Sequence, residues 1–244
     1  MRGGGLGNGF PLEQWFWEMP PITRWWTTSA VLCGILVQCH VLSPFNLFYS
    51  IRAVQKGQYW RLLSTFLYFG PLNLDFIFHI FFLQRYSRLT EEASGRSPAR
   101  FAYLLTFAAI SLLCVAPLAS LAFLGMPLSS VLVYIWSRRN PDTLLSFMGL
   151  LVFKAPWLPW VLMGFSFAVH GAVPKEEICG AAIGHVWYYF NDIYPPTHNG
   201  QRPMDPPGWW VALFEGAPHI EENPDTDLAN VQGEFAAAAA PEVH

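Results

Sequence analysis

Two serines and one histidine are the first residues whose types invite chemistry. Ser129 and Ser130 stand near the start of one apolar segment, and His185 stands in a later one. A serine hydroxyl activated by an imidazole is a nucleophile, and the pair on two membrane helices would be the layout of an intramembrane serine protease. Such enzymes set the serine among glycines, in a G-x-S-G pattern. Here the run is Gly125-Met126-Pro127-Leu128-Ser129-Ser130, so the setting is missing and no catalytic residue is assigned. Without that role, His185 reads as a hydrogen-bonded core residue. Asp75 and His79 are four apart and can meet on one helix face. Asn73 and Asp75 also stand where a helix begins, and capping is the favoured reading for Asp75. Cys33, Cys39, Cys114 and Cys179 lie in apolar segments without C-x-x-C spacing. They predict neither a metal site nor a disulfide framework, and no cofactor motif is present.

Two further patterns carry structural chemistry. Trp60-Arg61 closes a half-polar segment. A buried arginine near a membrane is costly unless paired, so the simplest reading is an interface anchor, with the ring at the headgroups and the guanidinium on phosphate. Gly180 and Gly184 are four apart, on one helix face, and form a small-residue ridge that lets another backbone approach.

These residues need helices to hold them, and the composition says in what solvent. Apolar residues make up 53% of the 244 positions and charged residues 13%, about half the charged share of a soluble domain. The net charge of −3 argues against a nucleic-acid role. Six apolar segments approach the length that spans a bilayer, at 25–41, 71–86, 101–121, 124–136, 154–169 and 178–194. Several are short, and a short span thins the bilayer around it. The expected fold is all-α: a polytopic bundle of six transmembrane helices over 25–194, after a cytosolic segment at 1–24. Residues 43–69 are too polar to span and too apolar for a free loop, which predicts an interfacial amphipathic piece. Residues 146–164, with Pro156 and Pro159, read as a kinked helix start. Residues 195–244 read as a Pro-rich, acidic and largely disordered tail.

Of the 14 Lys and Arg, only Arg52, Lys56, Arg61 and Lys175 fall on the far side if the N-terminus is cytosolic. That asymmetry predicts both termini in the cytosol.

The stretch GLLVFKAPWLPWVLMG, Gly149 to Gly164, resembles the signature of the Derlin family. Other segments agree in order: Pro21-Ile22-Thr23-Arg24; Gln58-Tyr59-Trp60-Arg61; Phe82 to Glu92; and Gly184-His185-Val186-Trp187-Tyr188-Tyr189-Phe190. The resemblance covers roughly residues 11–210. It implies a rhomboid-like pseudoprotease of the endoplasmic reticulum membrane that assists retrotranslocation of misfolded proteins to the cytosol. It implies a membrane ubiquitin ligase complex, misfolded substrates, the lipid bilayer and a cytosolic AAA ATPase as partners. By matching position, Trp60 and Arg61 are the family's W-R motif, and Gly180 with Gly184 its G-x-x-x-G. The tail from Glu215 lacks the F-x-G-x-G-x-R/Q box with which some members bind the ATPase. That absence is similar to fungal-type members and implies indirect recruitment through the ligase complex. The rival readings are an active rhomboid-type protease using Ser129 or Ser130 with His185, and a transporter or channel. The absence of an internal repeat weighs against the last.

Overall fold

The computed structural model describes residues 16–95, 97–147, 151–198 and 200–215. The expected N-terminal segment up to residue 15 and the acidic, alanine-ended tail from 216 lie outside them, as do residues 148–150 of the signature.

Six principal helices stand at the six expected places: α1 (Pro21–Gln38), α5 (Leu74–Ala93), α6 (Pro98–Ala119), α7 (Gly125–Arg139), α8 (Leu158–His170) and α9 (Lys175–Tyr188). Among the described residues, α6 is the one helix long and apolar enough to cross a membrane by length and composition alone. The others fall short for identifiable reasons. The second half of α5 carries Arg85, Arg88, Glu91 and Glu92. Helices α7, α8 and α9 have only 15, 13 and 14 residues.

Helix boundaries follow local chemistry. Proline opens α1 and α6 near their first position, where its missing N–H costs nothing. The Asn73 side chain caps α5 by accepting from the Phe76 N–H at 2.8 Å. Asp75 is therefore not the cap that the sequence favoured; it faces the bundle instead. A left-handed residue, Ser120 at φ 55°, ends α6. At the end of α9 the helix widens into a π turn at Tyr189–Ile193 and closes with α10 (Tyr194–Thr197).

One departure corrects the all-α expectation, and a second bears on the tail. Residues 144–154 include an antiparallel pair, β1 (Leu144–Phe147) and β2 (Leu151–Lys154), with Leu144 opposite Lys154 and Phe147 opposite Leu151. The β-branched and aromatic residues of β2 suit a strand. Pro156 and Pro159 do not kink a helix here. They open the 3-10 turn Ala155–Trp157 and α8, at positions that need no donor. The second departure is in the tail, where α11 (Gly208–Glu215) is helical and Trp210 Nε1 donates to the Ala99 carbonyl of α6 at 2.9 Å.

Residues 43–69 form three short helices, α2 (Pro44–Leu47), α3 (Ile51–Gln55) and α4 (Arg61–Ser64). They are stitched to the α6–α7 connection by Tyr49 N–H to Ala122 carbonyl and Leu124 N–H to Thr65 carbonyl, both 2.9 Å. Phe45, Trp60 and Leu63 remain exposed on the outer side. The segment is thus docked on the bundle while keeping an apolar rim. The main core lies between α6, α7 and α9, around Phe101, Leu112, Leu132, Ile135 and Trp187.

Candidate functional site

Arg61 is the organising side chain of the first loop. It is 8% exposed, while its neighbour Trp60 is 56% exposed. Its Nη1 donates to the carbonyls of Phe45 at 2.7 Å and Phe48 at 2.8 Å, and Nε donates to Gln58 Oε1 at 2.6 Å. Its Nε and Nη1 are thus held by acceptors of the loop itself. A planar fork with several donors can satisfy two carbonyls where α2 ends and the Gln58 amide where α4 approaches. By holding both carbonyls and the Gln58 amide at once, Arg61 ties α2 and α4 into one unit. Trp60 is left facing outward, where an amphipathic ring suits a membrane interface.

A cavity with a mostly apolar lining and one polar side opens between α5, α7, α8 and α9. Asp75, His79, Ser129, Ser130, Ser166 and Glu177 contribute its polar wall, and Phe78, Phe82, Met126 and Phe165 its apolar one. Its volume is about 60 Å³, room for a few waters. At its rim, His79 Nε2 stands 3.3 Å from Asp75 Oδ2, without hydrogen-bond alignment, and His170 Nε2 stands 3.6 Å from the same oxygen. Asp75 thus joins the start of α5 to the end of α8. Among the described residues, no group of three His, Cys, Asp or Glu side chains could hold a metal ion.

The serine–histidine pairing does not form. Ser130 Oγ donates to the Met126 carbonyl at 3.1 Å, within its own helix. His185 lies on the outward face of α9, with Nδ1 2.7 Å from the Tyr134 hydroxyl. Arg138 Nε donates to the same hydroxyl at 3.2 Å. These contacts link α9 to the end of α7 and give His185 a tyrosine partner in place of Ser130.

The glycine ridge sets the distance between α9 and α7, the most extensively packed helix pair. A Cβ on Gly180 would lie on the Pro127 carbonyl oxygen and 2.7 Å from Ser130 Cβ. At Gly184 it would lie 3.1 Å from both Tyr134 Cβ and the Val131 carbonyl oxygen. Gly180 is therefore the tighter of the two contacts.

Sequence reasoning missed Glu91 as a functional residue. It is 6% exposed and accepts from the N–H groups of Ile22 at 3.1 Å and Thr23 at 2.8 Å, and from Thr23 Oγ1 at 2.7 Å. The start of α1 has no side-chain cap of its own, and a helix N-terminus leaves donors unsatisfied and partially positive. Glu91 caps it from 68 residues away. The signal was present in the quoted motifs, Pro21-Ile22-Thr23-Arg24 and Thr90-Glu91-Glu92, but nothing local joins them. Glu91→Ala is expected to destabilise the protein in detergent by about 2 kcal/mol, read as a lowered thermal midpoint. An unchanged midpoint would rule out this cap as a stabilising contact.

A model of the Der1-like family matches residues 19–208. Derlin-2.2 of Arabidopsis thaliana is 39% identical over 246 residues, covering 96% of this chain and 98% of that protein. Derlin-2 of Oryza sativa subsp. japonica is 39% identical over 216 residues, covering 83% of this chain and 86% of that protein. A probable derlin-2 homolog of Dictyostelium discoideum is 32% identical over 216 residues, covering 84% of each chain.

Proposed function

The chain belongs to the Der1-like family, and from that premise we propose that it assists the retrotranslocation of misfolded proteins by locally thinning and wetting the bilayer. Family membership carries the coarser statements: a polytopic membrane protein of the endoplasmic reticulum, a role in endoplasmic-reticulum-associated degradation, and a non-catalytic, rhomboid-like character. The finer reading has six spans, both termini cytosolic, and the loop at 43–69 in the lumenal interface.

The observation that supports thinning is helix length. At 1.5 Å per residue, the 13 residues of α8 reach about 20 Å and the 15 of α7 about 22 Å. A bilayer core is about 30 Å thick. Helix α7 is largely buried in the bundle, so it is the bilayer next to α8 that must compress, or polar flanks must enter it. Moving a polypeptide through hydrocarbon strands its backbone groups at several kcal/mol each. A thinner layer beside this cavity lowers that cost. The cavity between α5 and α8 also suits a lateral gate, with Asp75 and His170 at its rim. A full-thickness lipid belt all round the protein, seen in a lipid-embedded structure, would overturn the thinning mechanism.

The partners follow the same reading: a misfolded substrate, a membrane ubiquitin ligase complex, and a cytosolic AAA ATPase reached through that complex. The reported relatives come from plants and Dictyostelium discoideum. The fungal-type comparison therefore rests only on the missing tail box. The direct test is a degradation chase of a misfolded lumenal protein in cells lacking their own Derlin. Wild-type chain is expected to restore degradation, and Trp60→Ala/Arg61→Ala to fail at matched abundance. Absence of rescue by wild-type chain that inserts and joins the ligase complex would reject the proposal.

A further inference from the structure

Away from the cavity, the ends of α5, α6, α7 and α9 surround a basin of about 370 Å³. Three guanidiniums, Arg100, Arg139 and Arg202, line it against two carboxylates, Asp192 and Asp205. Arg139 is spent on Asp192, with Nη2 2.9 Å from Oδ2 and Nε 3.1 Å from Oδ1. Arg100 and Arg202 are exposed and make no ion pair among the described residues. Trp187 also lines the basin; it is 4% exposed, and its indole N–H has no hydrogen-bond partner. The 22-residue helix α6 begins beside it and carries Arg100 in its first turn.

Depth is set by α6. A helix long and apolar enough to span has its first turn at the membrane surface. Trp210 is bonded to Ala99 in that first turn, so α11 lies at headgroup depth. Trp209 and Leu213 of α11 remain exposed, 68% and 71%. An aromatic and an aliphatic residue exposed at this depth suit the interface between headgroups and acyl chains.

We propose that the basin binds the phosphate of an anionic phospholipid, with Arg100 and Arg202 as its charge partners and α11 lying beside the lipid in the interface. Guanidinium forks match phosphate oxygens and pair with them strongly. Choline phospholipids carry a compensating cation and should bind less. This rests on the membrane embedding implied by the family and is independent of retrotranslocation.

The test is native mass spectrometry of the full chain in neutral detergent. The probes are dioctanoyl phosphatidic acid, dioctanoyl phosphatidylcholine and inorganic phosphate. Phosphatidic acid is expected to bind at least about tenfold more tightly than phosphatidylcholine, and Arg100→Gln/Arg202→Gln to remove that margin. Arg88→Gln, which changes a half-buried arginine paired with Glu92 outside the basin, should leave it intact. Wild-type binding should also weaken as sodium chloride rises, a readout that needs no variant. Equal binding of the two lipids, or full retention in the double variant, would overturn the site. Displacement of the lipid by excess inorganic phosphate would overturn the lipid assignment in favour of a soluble phosphate.

Discussion

Gly180→Ala is expected to destabilise the detergent-solubilised protein by about 1–3 kcal/mol, and Gly184→Ala by clearly less. Inside a membrane, burial of apolar surface does little to hold helices together, since lipid tails are as apolar as leucine. Close backbone approach and packing do that work. A methyl at Gly180 meets the Pro127 carbonyl, a backbone atom that cannot rotate away, and Ser130 Cβ. The helices must separate, and contacts along the whole α7–α9 seam loosen. At Gly184 the obstruction is 3.1 Å away, where a few tenths of an ångström suffice. Gly180→Val adds branching at the same place and should leave little folded protein. The check is the order of the thermal midpoints, wild type above Gly184→Ala above Gly180→Ala. Equal midpoints for both alanine variants would show that the seam has slack at Pro127. The seam also forms one wall of the cavity through Ala181, Ser129 and Ser130. Loss of retrotranslocation is therefore expected to follow the loss of stability.

Arg61→Ala is expected to cost about 3 kcal/mol and to unravel the first loop selectively. Each hydrogen bond to a charged group contributes about 1.5–3 kcal/mol, and contributions within one network do not add. Removing the guanidinium takes away the donor shared by the Phe45 and Phe48 carbonyls, in part-buried contacts. Arg61→Lys should recover little, because a single ammonium cannot reproduce the spread of a fork. Trp60→Ala should behave differently. Its ring is largely exposed, so the midpoint should stay within about 0.5 kcal/mol of wild type, while the degradation chase still slows. Hydrogen exchange over residues 43–69 separates the two. Exchange should rise in Arg61→Ala and Arg61→Lys and stay near wild type in Trp60→Ala. Equal protection in all three would mean that the bundle, not Arg61, holds the loop. The W-R pair then divides into an arginine that builds the loop and a tryptophan that faces its surroundings.

Much of the frame was legible because it is written locally. A charge share of 13% with 53% apolar residues states the solvent, and six apolar stretches state where helices lie. Gly180 and Gly184 could be read as a packing ridge because four-residue spacing is a property of one helix. Asn73 and Asp75 were both legible as helix-start residues, yet which of them capped was not. That choice depended on the two histidines drawing Asp75 inward, and His170 comes from another helix.

Chain topology decided the rest. Arg61 could be seen as costly, but its acceptors lie 13 and 16 residues earlier and meet it only when α2 folds back onto α4. Glu91 and Thr23 are 68 residues apart, and only antiparallel packing of α1 on α5 makes one the cap of the other. Ser130 and His185 looked like partners in the sequence because both lie in apolar helices. Their hydroxyl and imidazole instead bond to Met126 and Tyr134. Sequence alone determined the solvent, the helix positions and the close-packing ridge, since hydrophobicity and period act over a few residues. Tertiary structure alone decided which polar groups meet, since a buried donor takes whatever acceptor the packed helices bring within about 3 Å.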